Sequence, residues 1–166
     1  APFLTNCLGE PKMWFNILKS VELMTESSVL SRMKGAKSAV EKGYPSIITP
    51  LTLVVKKEGE KLVSYTSFSD LGDFFFVGNS YTDPDEQGKG YYSQVMSSRN
   101  DYTKGKPRVT LLNPLDERAV SVTRAMVRRS GGKEIQSYDD VSDFMKKEDY
   151  NGMFSTGLTG FRYPVL

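Results

Sequence analysis

The chain has 166 residues, 39% of them hydrophobic and 25% charged, with a formal net charge of +2. That length allows one domain over 1–166 with a sizeable core, and so small a charge does not argue for a nucleic-acid or membrane partner. There is no histidine, which removes His-based triads, His metal sites and an imidazole base together, and no metal site is expected. The single cysteine, Cys7, excludes an internal disulfide framework and fits a reducing, cytoplasmic setting. No apolar run approaches the roughly 20 residues of a membrane span, and no basic region followed by an apolar stretch marks a signal peptide.

In chain order, Phe3-Leu4-Thr5 can form a short strand between the breakers Pro2 and Gly9. From Lys12, the spacing of Trp14, Ile17, Leu18 and Val21 predicts a helix with one buried face. Val29, Leu30, Met33, Ala36 and Val40 predict a second, ending near Gly43. After Pro45 and Pro50 the period changes to two. Leu51, Leu53 and Val55 alternate, Lys57-Glu58-Gly59-Glu60 turns, and Leu62 to Phe68 returns as the hairpin partner. Phe74 to Tyr81 is a third strand of the meander, and a loop and helix follow it. Arg108 to Leu112 reads as a buried strand, Asp116 to Arg129 as a helix with Ala119, Val122 and Met126 on its inner face, and Gly131-Gly132 as its stop. Lys133 to Tyr138 suits another strand. Residues 139–151 read as a polar insertion with a turn of helix, and Met153 to Tyr163 as a final edge strand.

The stretch Asp83 to Ser93 organises the rest. Pro84 pre-sets φ for a turn, and Gly88 and Gly90 let backbone approach a ligand because no Cβ intervenes. Tyr91, Tyr92, Val95 and Met96 recur at helical spacing, so the first turn directs free N–H groups at the glycines. Free amides and the positive end of a helix dipole make a phosphate site, and Lys89 adds a positive charge. There is no Gly-Lys-Ser/Thr ending for a Walker A loop and no first-strand G-x-G-x-x-G.

The string Gln87-Gly88-Lys89-Gly90-Tyr91-Tyr92 resembles motif A of the GNAT N-acetyltransferase superfamily, Gln/Arg-x-x-Gly-x-Gly/Ala, with Tyr92 in place of the last small residue. Asn113 to Gly132 is similar to the stretch after that family's fifth strand. The resemblance implies an α/β fold: a mixed, mostly antiparallel sheet with a splayed parallel central strand pair and flanking helices. It implies acetyl-coenzyme A as co-substrate, with acetyl transfer to a small-molecule or peptide amine. On this basis the amides of Gly88, Gly90, Tyr92 and Ser93 take the pyrophosphate, beside Lys89 and Tyr91, and Gln87 braces the loop. Backbone at Tyr81 and Thr82 pairs with the pantetheine arm, and Asn113 bonds it from the neighbouring strand. Asn113 is equally read as an Asn-Pro turn.

The family's proton-moving residues have no match. The base position, a Glu early in the fourth strand, falls on Phe76, and the tyrosine acid falls on Val127 or Thr123 by the two possible alignments. Asp70, Asp73 and Ser80 are nearby polar residues whose simpler readings are turn and strand-surface positions. Tyr138 and Tyr150 lie downstream as possible substitutes. A thiol of pKa about 8.5 can leave without an acid, and an α-amine at about 7.7–8.0 is substantially neutral at cellular pH. Two other readings stand beside the enzyme: a protein of this fold that binds coenzyme A without turnover, and a basic-loop module using Lys104, Lys106, Arg128 and Arg129.

Overall fold

Seven strands form one sheet in the computed structural model, which describes residues 20–155 and 157–164. The order is β1-β2-β3-β4-β5-β7-β6. The strands are β1 (Val21–Thr25), β2 (Thr52–Glu58), β3 (Lys61–Asp70), β4 (Phe75–Thr82), β5 (Arg108–Leu112), β6 (Lys133–Ile135) and β7 (Thr159–Tyr163). Only β4 and β5 run parallel. The helices are α1 (Glu26–Leu30), α2 (Tyr91–Tyr102), α3 (Glu117–Arg129) and α4 (Lys147–Phe154). This is the mixed, mostly antiparallel sheet with flanking helices that the sequence implied.

Period-two alternation assigns each face. In the run Phe74-Phe75-Phe76-Val77, Phe74 and Phe76 pack with Leu53, Val55, Val109 and Leu111 on one side. Phe75 and Val77 pack with Val120, Val127 and Phe161 on the other. Each such fully buried side chain stabilises the fold by about 1.5–3 kcal/mol.

Two features place the site. First, β4 and β5 are paired only at Phe75↔Arg108 and Phe76↔Val109, after which they part. Second, β4 carries a bulge where they part: Tyr81 pairs with Tyr65 and Gly78 with Ser67, so Asn79 and Ser80 together oppose Thr66. Asn79 takes φ +54°, a left-handed conformation that asparagine tolerates.

Four expectations are corrected. Val21 is not on a helix but begins the edge strand β1; the rest of the expected first helix, and the strand at 3–5, lie outside the described residues. The second helix stops at Leu30 instead of reaching Gly43. Ser31 Oγ donates to the Ser28 carbonyl at 2.8 Å, and the Ala39 amide leaves any ladder to donate to Glu26 at 2.6 Å. The buried residues of α3 are Val120 and Val127, with Met126 packed against them, while Val122 is 61% exposed; of the expected inner face, Val122 is the residue that misses the core. Finally, β7 is not an edge strand, because β6 lies outside it. Its Gly160 leaves room for the Phe154 ring, which an added Cβ would overlap.

Candidate functional site

The loop after β4 forms from short-range chemistry. Pro84–Glu86 is a single 3-10 turn, closed by the Glu86 amide on the Asp83 carbonyl at 2.9 Å. Gln87 Nε2 donates to the Thr82 carbonyl at 3.4 Å. Gly88 and Gly90 hold φ +82° and +83°, which admit glycine without strain. Gly90 is the N-cap of α2, so no side chain caps that helix. The amides of its first turn therefore have neither an intrahelical partner nor a capping one. Positive helix-end potential and open donors coincide at this point.

Ser80, Tyr81, Thr82, Glu86, Gln87, Gly88, Gly90, Tyr91, Tyr92 and Ser93 line an open pocket of about 530 Å³ around those amides. Eight of the ten expected residues are thus together. Lys89 stands beside the pocket without lining it, its ammonium 3.0 Å from Glu86 Oε1; Glu86 also lies 3.4 Å from Lys61. The Lys89 hydrogen bond, with Lys61 behind it, holds the Glu86 carboxyl below the ordinary glutamate range. Sequence reading missed this carboxylate in the pocket lining. Tyr91 is turned toward β2: its hydroxyl donates to Glu58, which pushes its pKa up to about 12.

Ser80 and Tyr92 also line a second cleft, of about 650 Å³, so the two spaces are neighbours that share these residues as a wall. This cleft is the gap between the parting strands, with Gly78, Asn79 and Ser80 on one side and Thr110, Leu111, Leu112 and Asn113 on the other. Asn113, the tenth expected residue, is here. Its Oδ1 accepts the Leu115 amide at 3.0 Å, so the Asn-Pro turn occupies that oxygen and leaves the side-chain NH₂ for other work.

The cleft passes through the sheet. On the helical side it is lined by Tyr92, Met96 and Arg99 of α2, by Ala119, Val122, Thr123 and Met126 of α3, and by Tyr163. The exposed Val122 of α3 is therefore part of a cleft wall. On the opposite side Lys37, Glu41, Lys42 and Tyr44 line it, from the irregular segment that replaced the second predicted helix. Lys42 Nζ donates to Asn79 Oδ1 at 2.5 Å, so the bulge holds this amine at the mouth. Burial of the Lys42 ammonium holds its pKa below the usual lysine value, with Glu26 pulling the other way. Tyr44 stacks edge-on against Phe76, and burial raises its pKa. No short-range signal marks Lys42 or Tyr44, because only tertiary packing brings them to β4.

Other candidates fall elsewhere. Phe76 is fully buried, and Val127 is 1% exposed in the core. Tyr138 donates to the Met145 carbonyl at 2.8 Å, and Tyr150 stacks on Phe154; neither lines the cleft. Asp70 accepts from Lys106 and from the Gly72 amide, as a turn residue does. Lys104 pairs with Asp101 at 3.3 Å and Lys106 with Asp70 at 2.5 Å, which uses two of the four expected basic residues. Among the described residues no cluster of three or more potential ligands could hold a metal, and no helix is long and apolar enough to cross a membrane.

No protein-family model matches the chain, and no curated protein matches it. Among solved structures, the chain is similar to a Bacteroides thetaiotaomicron protein assigned to the GNAT acetyltransferase family. The two are 14% identical with a TM-score of 0.49, and the match covers 88% of this chain and 87% of that one. It is also similar to a GNAT family N-acetyltransferase from Escherichia coli in complex with CoA. Identity there is 17% and the TM-score 0.35, with 60% of this chain and 67% of that one covered. Both likenesses are distant.

Proposed function

We propose that this chain is an acyl-coenzyme A-dependent N-acyltransferase of the GNAT type, moving an acetyl group from acetyl-coenzyme A to an amine. The observation that carries the reading is the adjacency of two spaces. The uncapped, glycine-led start of α2 opens into a pocket, and Ser80 and Tyr92 of its lining also line the gap between β4 and β5. A helix start suited to an anion, beside a cleft between parting strands, suits a molecule with a pyrophosphate at one end and a slender arm at the other.

In this reading the backbone at Gly88, Gly90, Tyr92 and Ser93 holds the pyrophosphate, with Gln87 fixing the loop and Tyr91 and Lys89 flanking it. The β4 edge at Tyr81 and Thr82 and the Asn113 amide line the path of the arm. The acceptor amine enters from the side of Lys42 and Tyr44. Transfer forms a C–N bond and breaks the C–S bond; sulfur leaves with the electron pair as thiolate, and the attacking nitrogen loses one proton. Lys42 is the group best placed to accept that proton, since its lowered pKa makes the free amine available nearer neutral pH. A cytoplasmic setting belongs to the same reading, with Cys7 unpaired in sequence as its support.

One observation favours a second reading, binding without turnover. The position where the family carries a Glu is Phe76, fully buried in the core, and the cleft's own carboxylates, Glu41 and Asp116, are engaged by the Ser38 and Ala119 amides. Free-thiol release from acetyl-coenzyme A, measured with a panel of amines beside a calorimetric titration, separates the two. Amine-dependent release supports the enzyme; binding with no release under any amine supports the second reading.

A further inference from the structure

The spacing of Tyr92, Val95 and Met96 calls for an apolar residue at the next inward position of α2, and that position is Arg99. Arg99 is 3% exposed. Its Nη1 donates to Thr66 Oγ1 at 2.8 Å, and its Nε is buried without a partner. Arg108 is 1% exposed, and burial holds its guanidinium below the usual arginine value, with Tyr163 pulling the other way and Arg99 adding to the lowering. Arg108 spends its donors on Thr103 Oγ1 and on the carbonyls of Asn100 and Pro164. Among the described residues, neither arginine has a carboxylate within ion-pairing distance. A buried cation with an open N–H and no counter-ion is costly unless something anionic completes it. Arg99 and Tyr163 both line the cleft between β4 and β5, on its helical side.

We propose that Arg99, with Arg108 behind it and Tyr163 beside it, receives a substrate carboxylate, and that this carboxylate belongs to the acyl group. The donor then extends beyond acetyl to the monothioester of a dicarboxylic acid. Guanidinium suits this role because its planar donors match a carboxylate in pairs. The side of the sheet decides between sources: Arg99 projects from the helix that begins at the proposed phosphate loop, whereas an acceptor enters past Lys42. This inference rests on the coenzyme-binding reading.

The test is calorimetric titration of coenzyme A, acetyl-coenzyme A and succinyl-coenzyme A into the wild-type protein and into Arg99→Met. Wild type should bind succinyl-coenzyme A at least about tenfold more tightly than acetyl-coenzyme A, the margin a charge-assisted pair supplies. Arg99→Met should lose that preference, keep its affinity for coenzyme A, and melt no lower than wild type, because an uncompensated buried charge has been removed. Equal wild-type affinity for the two thioesters overturns the proposal, with no variant needed. A preference that survives in Arg99→Met overturns it as well. Failure of coenzyme A itself to bind overturns the underlying reading and this one with it. In a parallel arm with coenzyme A present, glycine and glycinamide are compared as acceptor-side ligands; an Arg99-dependent preference for glycine, without a donor preference, overturns the acyl assignment.

Discussion

Lys89 Nζ lies 3.0 Å from Glu86 Oε1, so the one mobile cation of the glycine loop is already paired with a carboxylate of the same loop. The charge expected to meet a phosphate already has a local partner, and in the proposed reading the backbone amides at the start of α2 carry the site.

Lys89→Ala is therefore expected to weaken coenzyme A binding by less than about tenfold, since an exposed and screened charge is lost while the amides stay. Glu86→Gln should strengthen binding a few-fold by removing a negative charge from the pocket lining. Titrations at two salt concentrations check both. Weaker binding by Glu86→Gln would show that the carboxylate supports the loop's shape more than it repels the ligand.

The pH dependence of transfer tests Lys42. A lowered lysine pKa means that its neutral form accumulates at lower pH than usual, so kcat should rise with pH through that lowered value and then level off. Lys42→Met should reduce kcat by about a hundredfold or more, within the range general-base catalysis supplies, with coenzyme A affinity unchanged. Tyr138→Phe should leave kcat unaltered, because that hydroxyl is bound to the Met145 carbonyl away from the cleft. An unchanged profile in Lys42→Met would remove it from the proton path.

The end of α3 offers a stability test. The Gly132 amide reaches the Val127 carbonyl at 2.8 Å and the Gly131 amide the Arg128 carbonyl at 3.1 Å, the paired closure of a Schellman motif. Gly131 has φ +82° with open space around it, so Gly131→Ala should cost about 1–2 kcal/mol of backbone strain. At Gly132 an added Cβ would overlap the Arg162 carbonyl and lie 2.7 Å from Val127 Cγ1 and 2.8 Å from Tyr163 Cβ. Backbone cannot yield as a side chain can, so Gly132→Ala should cost more, about 2–3 kcal/mol. Urea unfolding ranks the two; a smaller loss at Gly132 would mean that β7 gives way easily.

Much of this architecture was legible because it is written in short-range pattern. Period two at Leu51 to Val55 and the continuous apolar run Phe74 to Val77 located central strands, and Gly88 with Gly90 located the turn whose positive φ only glycine takes freely. What was illegible depends on contacts across the chain. The segment 31–43 has helical apolar spacing, yet the Ala39 amide is claimed by Glu26, and at Gly35 an added Cβ would overlap the Tyr81 hydroxyl. Lys42 and Tyr44 reach the cleft only because that helix does not form. Val122 of α3 reads as core from its spacing, yet it lines a cleft and is exposed. Arg99 was not singled out in the sequence, because only packing shows that it is buried with no carboxylate partner among the described residues.

The central claim is that the Gln87–Ser93 turn holds the pyrophosphate of coenzyme A through its backbone, and calorimetric titration of coenzyme A into wild type and Gly90→Glu tests it most directly. Gly90 has φ +83° and caps the helix whose amides are open, so a glutamate there strains the turn and puts a carboxylate at the anion site. Wild type should bind in the micromolar range, and Gly90→Glu should bind at least about a hundredfold more weakly while keeping its cooperative melt. The same affinity in both proteins would contradict the account.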